Sequence, residues 1–104
     1  MKQITLYVPT QTQAQKRANA TLGLNLVNVA GGYTRYAHEG AWKDGDGSIF
    51  EEVGVTYVVL CSSPLTVDCV VLALREYGEA AGERTVAYTV EEVDAHFEST
   101  EVAV

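Results

Sequence analysis

Positive charge is scarce in this sequence. Seven Lys and Arg stand against 14 Asp and Glu, a net charge of −7. Such a surface repels phosphates on average, which argues against DNA or RNA as a partner, and plain solubility accounts for the acidity better than mimicry of a nucleic acid. Long apolar runs are lacking too. None reaches the roughly 20 residues of a helical membrane span, and Met1 leads into a short alternating run without the basic, apolar, small-residue order of a secretory signal, so a cytoplasmic protein is expected. Cysteine occurs twice, as Cys61 and Cys69, each inside an apolar stretch. They read as buried free thiols of a reducing compartment, and close-spaced Cys or His for a zinc site are missing. Asp44, Asp46 and Glu51 offer too few oxygens, without flanking helices, for a calcium loop. No phosphate loop, Gly-x-Ser-x-Gly elbow, His-Glu-x-x-His helix or Cys–His nucleophile setting occurs, and no metal or cofactor is expected.

What is present is a chain with 47% apolar residues and only two prolines, long enough for one folded domain over residues 1–104. Its core is expected over about 2–90, with 91–104 as a C-terminal extension. Residues 2–8 alternate, with Ile4, Leu6 and Val8 on one face, as in a strand covered on one side; Pro9 ends it. Residues 11–30 read as a helix capped by Thr10 or Thr12, with Ala14, Ala18, Leu22, Leu26 and Val29 in one stripe and Gln13, Gln15, Lys16, Arg17 and Asn19 on the wet side. Gly23 threatens that helix, and Gly31 closes it. Residues 33–42 and 49–60 read as a hairpin around Asp44-Gly45-Asp46-Gly47, its second strand central in a sheet. Ser63 and Pro64 open a second helix over 64–78, which Gly78 can stop; Val67, Val70, Val71, Leu74 and Tyr77 share its apolar face. Residues 84–90 form a last strand. The tail, with Val93, Phe97 and Val102 among acids, is readable as a helix, an edge strand or a docking arm. The order β-α-β-β-α-β predicts an α+β, ferredoxin-like fold: a four-stranded antiparallel sheet with two helices on one face.

The uncovered sheet face then carries Thr5, Tyr7, Phe50, Thr56, Val58, Leu60, Ala87 and Thr89. A patch this apolar predicts a cover. The cover is a second copy, giving a homo-oligomer (dimer or trimer) through the open face, or the tail folded back. A tight turn would make hairpin partners sum to 91, setting His38 opposite Val53 and Glu39 opposite Glu52. Like charges directly opposed are destabilising, so this pair would invite a cation, a proton or an Arg. His96 has no evident partner.

The motifs Gly31-Gly32-Tyr33-Thr34 and Gly40-Ala41-Trp42, with Leu6-Tyr7-Val8-Pro9-Thr10 before them and Asp44, Gly47 and Glu51-Glu52 after, resemble a group of short phage and bacterial proteins. In that group a Gly-Gly-x-Thr step leads into a Gly-x-Trp hairpin, and the topology is similar to the PII-type signalling proteins, trimers that bind nucleotides between subunits. The resemblance implies a ferredoxin-like fold and a phage setting, hence a host cytoplasm. The long nucleotide-binding loop of PII proteins and most of their basic residues are missing here.

Two functions follow as expectations. One is a non-enzymatic oligomeric module, possible as a phage accessory protein, holding a small ligand (a signalling nucleotide or other anion) or a host protein in subunit clefts lined by Tyr33, Arg35, Tyr36, His38, Glu39 and Trp42. The aromatic rings would stack, Arg35 would meet an anion and Glu39 would discriminate charge. The alternative is a small acid/base enzyme, an isomerase or lyase, using His38 with Glu39 or Glu52.

Overall fold

The computed structural model describes residues 1–101; Val102 therefore lies outside the described residues. The elements are β1 (Lys2–Pro9), α1 (Gln13–Ala30), β2 (Thr34–Lys43), β3 (Ile49–Cys61), α2 (Pro64–Ala81) and β4 (Ala87–Glu92). They build an antiparallel sheet in the order β2-β3-β1-β4, with both helices packed on one face. This is the ferredoxin-like α+β architecture that the element order predicts, with β3 central. No helix among the described residues is long and apolar enough to cross a membrane.

The alternation in β1 places Ile4, Leu6 and Val8 at zero exposure, against Leu22 and Leu26 of α1, Val70 and Leu74 of α2, and Tyr57 and Val59 of β3. Each such side chain stabilises the fold by roughly 1.5–3 kcal/mol through burial. Cys61 is buried as expected, and burial pushes its thiol up from the ordinary range, whereas Cys69 on α2 is only half-buried.

Local details differ from the sequence reading in instructive ways. Thr12 caps α1 in a reciprocal box with Gln15, so Gln15 is buried, not wet. The buried stripe is thus Gln15, Ala18, Leu22, Gly23 and Leu26, while Ala14 and Val29 face outward. Gly23 does not break the helix. A methyl group there would lie 3.4 Å from the Tyr33 hydroxyl and 3.6 Å from that of Tyr57, ordinary contact distances, and the buried Leu22 and Leu26 on either side carry the helix through. Gly78 does not stop α2 either. A Cβ there would come 2.7 Å from Val86, whose packing against the helix excludes any side chain, and Gly82 in the left-handed region ends α2 instead. Val86 therefore packs before β4 begins, and the last strand runs from Ala87 to Glu92 rather than over 84–90. Residues 93–101 carry neither helix nor strand. Phe97 stands at one end of the open face, lining a cavity of about 430 Å³ with Val58, Leu60 and Thr34.

The hairpin register is shifted by one residue from the tight-turn expectation. Partners sum to 92: Trp42 faces Phe50, Gly40 faces Glu52 and His38 faces Gly54. The cause is an odd-length turn. Residues 44–48 link the strands; the Asp44 carboxylate accepts from the amides of Asp46 and Ser48, and Gly47 closes the turn at φ 92°. The expected Glu39–Glu52 confrontation does not arise, because these residues lie on opposite faces of the hairpin.

Candidate functional site

The last pair between β1 and β3 is Pro9 with Gly54. Beyond that row β2 and β3 pair only with each other, so residues 39–53 form a two-stranded arm. The candidate site lies on the open face where the arm leaves the sheet. Alternation brings Tyr36, His38 and Trp42 of β2 to this face, beside Glu52 and Thr56 of β3 and Tyr7 of β1. With Glu39 and Gly40 these residues line a concavity of about 420 Å³.

Its centre is the Glu52 carboxylate. Oε1 lies 3.3 Å from His38 Nε2, and Oε2 accepts from Trp42 Nε1 at 3.1 Å. The indole reaches back across Gly40, the residue opposite Glu52, and a Cβ at Gly40 would lie 3.9 Å from that indole nitrogen. On its other side His38 Nδ1 lies 2.8 Å from the Thr56 hydroxyl, and the Tyr7 ring meets the imidazole edge-on at 6.4 Å. The side chains of Glu52 and His38 are 20% and 17% exposed, open to a small molecule yet largely shielded from bulk water. No Lys or Arg lines the concavity.

The sequence-predicted set therefore divides. Tyr36, His38 and Trp42 come together, and Glu39 reaches the rim from the opposite strand face. Tyr33 and Arg35 stand on the helix side. There the Tyr57 hydroxyl donates to Asn19 Oδ1 at 2.6 Å and accepts from Arg35 Nη1 at 3.4 Å, while the rings of Tyr33 and Tyr57 meet edge-on at 4.8 Å. The hydrogen bond to Tyr57 holds the Arg35 guanidinium above its usual range, and burial pushes the Tyr57 hydroxyl up. This cluster ties α1 to the sheet. Sequence reasoning left Tyr7, Gly54 and Thr56 out of the site. The alternation of β1 and of β3 had placed Tyr7 and Thr56 on the open face, and the correct hairpin register would have completed the row. His96, read as unpartnered, lies 3.3 Å from Asp94 in the exposed tail.

Among the described residues no group of three His, Cys, Asp or Glu is arranged to hold a metal. No protein-family model matches the sequence, and no curated protein matches it. Solved structures do. A phage SAM lyase in complex with S-methyl-5'-thioadenosine superposes with a TM-score of 0.65 at 13% identity, over 88% of this chain and 80% of that one. The PII-like protein CutA from Nostoc sp. PCC 7120, in apo form, gives 0.63 at 16% identity, over 90% and 82%. The periplasmic divalent cation tolerance protein CutA from Archaeoglobus fulgidus gives 0.62 at 12%, over 94% and 89%. At such identities the likeness establishes the fold, a PII-like, ferredoxin-like α+β sandwich of sheet and helices.

Proposed function

We propose that this protein is a homo-oligomer that binds a cationic, aromatic-bearing small molecule at the Glu52 concavity, and that the molecule is S-adenosylmethionine, which it cleaves as a lyase. The observation that carries the reading is the Glu52 carboxylate, fixed by His38 and Trp42 within a concavity walled by Tyr7 and Tyr36 and free of basic side chains. A carboxylate among aromatic rings matches a sulfonium joined to a purine: charge meets charge, and the rings supply stacking and cation–π attraction of about 0.5–2 kcal/mol. An anionic nucleotide fits less well, since Arg35 lies on the other face. The phage lyase among the structural neighbours adds a precedent for this chemistry on this fold.

Cleavage breaks the bond between sulfur and the four-carbon amino-acid chain. The electron pair stays on sulfur, which leaves as the neutral thioether S-methyl-5'-thioadenosine. The four-carbon fragment is completed by losing a proton to Glu52 or by closing onto its own carboxylate. Positive charge fades as the bond breaks, so attraction to Glu52 serves binding, and acceleration comes from holding the chain in a reactive conformation.

Exposed apolar surface on the arm supports the oligomeric part of the reading. A two-stranded arm is marginal alone in water, and this one exposes Trp42 at 56%, Ile49 at 71% and Phe50 at 57%. A neighbouring subunit packed on the arm buries these residues and walls the concavity. Among the described residues of the tail, Phe97 lines a cavity with Val58 and Leu60 at the far end of the open face and is itself 74% exposed. The test is incubation of the purified protein with S-adenosylmethionine, with mass spectrometry of the products. Release of S-methyl-5'-thioadenosine by the wild type and its loss in Glu52→Gln support the proposal. An aminobutenoate co-product would assign the proton to Glu52, and a lactone would assign closure to the substrate. Intact S-adenosylmethionine with no binding by calorimetry would refute it. Binding without turnover would leave the non-enzymatic module.

A further inference from the structure

We infer that His38 is a positioning residue, held by Thr56 and Gly54 as a fixed N–H donor to Glu52, and that it never presents a basic nitrogen to the concavity. As a statement about ligand chemistry this rests on the reading of Glu52 given above; as a statement about hydrogen bonding it stands on geometry alone.

A carboxylate in its ionised form only accepts hydrogen bonds, so toward that form of Glu52 the imidazole nitrogen facing Oε1, Nε2, carries the proton. In the neutral ring the lone pair then sits on Nδ1. That nitrogen lies 2.8 Å from the hydroxyl of Thr56, a residue only 2% exposed, and the hydroxyl donates to it. If the ring gains a second proton, Nδ1–H donates and the hydroxyl turns to accept. Thr56 therefore satisfies Nδ1 in both charge states, and in both the side toward Glu52 is an N–H. A ligand in the concavity meets Glu52, whose oxygens keep lone pairs beyond those used by His38 and Trp42.

Gly54 makes the arrangement sterically available. It lies between Pro9 and His38 in one row across three strands. A Cβ there would stand 2.2 Å from the Val8 carbonyl oxygen, 3.0 Å from Pro9 Cα and 3.0 Å from His38 Nε2. The bare Cα lets the imidazole lie down over the sheet and reach Thr56 behind and Glu52 ahead. Any side chain at this position collides with the β1 backbone or lifts the ring off both partners.

The experiment is nitrogen-15 and carbon-13 NMR of the histidine rings in the full chain, for wild type, Thr56→Val and Thr56→Ser, joined to turnover of S-adenosylmethionine. The expected result is an Nε2–H ring in the wild type, a mixed tautomer in Thr56→Val and restoration in Thr56→Ser. Thr56→Val should cost roughly three- to tenfold in kcat/KM, the worth of one hydrogen bond. His38→Gln keeps an N–H donor and should cost about tenfold at most, well below the loss in Glu52→Gln. A wild-type ring in the Nδ1–H form, or a Thr56→Val protein unchanged in both tautomer and rate, overturns the inference, as does a His38→Gln loss equal to that of Glu52→Gln. If the wild type neither binds nor cleaves S-adenosylmethionine while the Nε2–H form and its dependence on Thr56 hold, the ligand reading falls and the positioning of His38 is upheld.

Discussion

Between the helices and the far end of the open face, the sheet is four strands wide and one side of it is sealed by Leu22, Leu26, Val70 and Leu74. Past Pro9 the hairpin continues as two strands with Ile49, Phe50 and Val53 in water, in a molecule that measures 63 × 24 × 24 Å. The two regions divide the work. The sealed region has apolar area to bury and supplies stability. The arm has little to bury by itself, and the candidate site stands at its root, where His38 and Gly54 still lean on β1 while Glu52 and Trp42 do not.

That contrast breaks most plainly from the sealed side. Leu6→Ala empties a site at zero exposure and should lower unfolding free energy by about 2–5 kcal/mol in urea titrations; a loss below 1 kcal/mol would place the core elsewhere. Tyr77→Phe comes next. The Tyr77 hydroxyl, pushed upward by burial, donates to the Pro9 carbonyl at 2.6 Å and anchors α2 to the strand end beside the arm. Its removal should cost about 1–2 kcal/mol.

On the arm the expectation reverses. Replacing Trp42 and Phe50 together by Ser should move the intrinsic stability of one chain by about 0.5 kcal/mol or less, as for exposed sites, yet reduce the mass seen in sedimentation to that of a monomer. An unchanged mass would take the arm out of the assembly interface. The smallest effect concerns Glu92. Hydrogen bonds from Lys2 and from the terminal ammonium, with their charges, hold its carboxyl down to about 2 from an ordinary 4.5. The folded value is the lower one, so the contribution is full above about pH 4.5 and disappears as pH falls toward 2. Glu92→Gln should flatten stability across that acidic window only, and an identical acid titration of the two proteins would deny the contact a role.

How legible all this was depended on whether a signal was local. Alternation in β1, the Ser63-Pro64 helix start and the left-handed Gly31 are one-element features, and they led to the architecture. Gly78 misled because its reason lies in another element, Val86, and Gly23 misled because packing of the neighbouring Leu22 and Leu26 outweighs its local cost to the helix. The site was half legible. Tyr36, His38 and Trp42 alternate on one strand and belong together on any register. Their partner, Glu52, depends on the parity of the turn, which Asp44 and Gly47 set through hydrogen bonds that Asp-Gly alone does not specify. Arg35 stands outside the cluster on any register, since neighbours on a strand point to opposite faces.

The turn at residues 44–48 also restricts how this lineage of hairpins can vary. Residues gained or lost within it lengthen or shorten the loop and keep Glu52 beside His38. A one-residue slip taken up in the strand instead of the loop turns β3 over relative to β2, carrying Glu51 and Val53 to the aromatic side in place of Glu52 and Tyr57 out of the core. Changes of loop length that leave the pairing of Lys43 with Ile49 intact are therefore expected to keep the ligand, while a slip within the strand surrenders it.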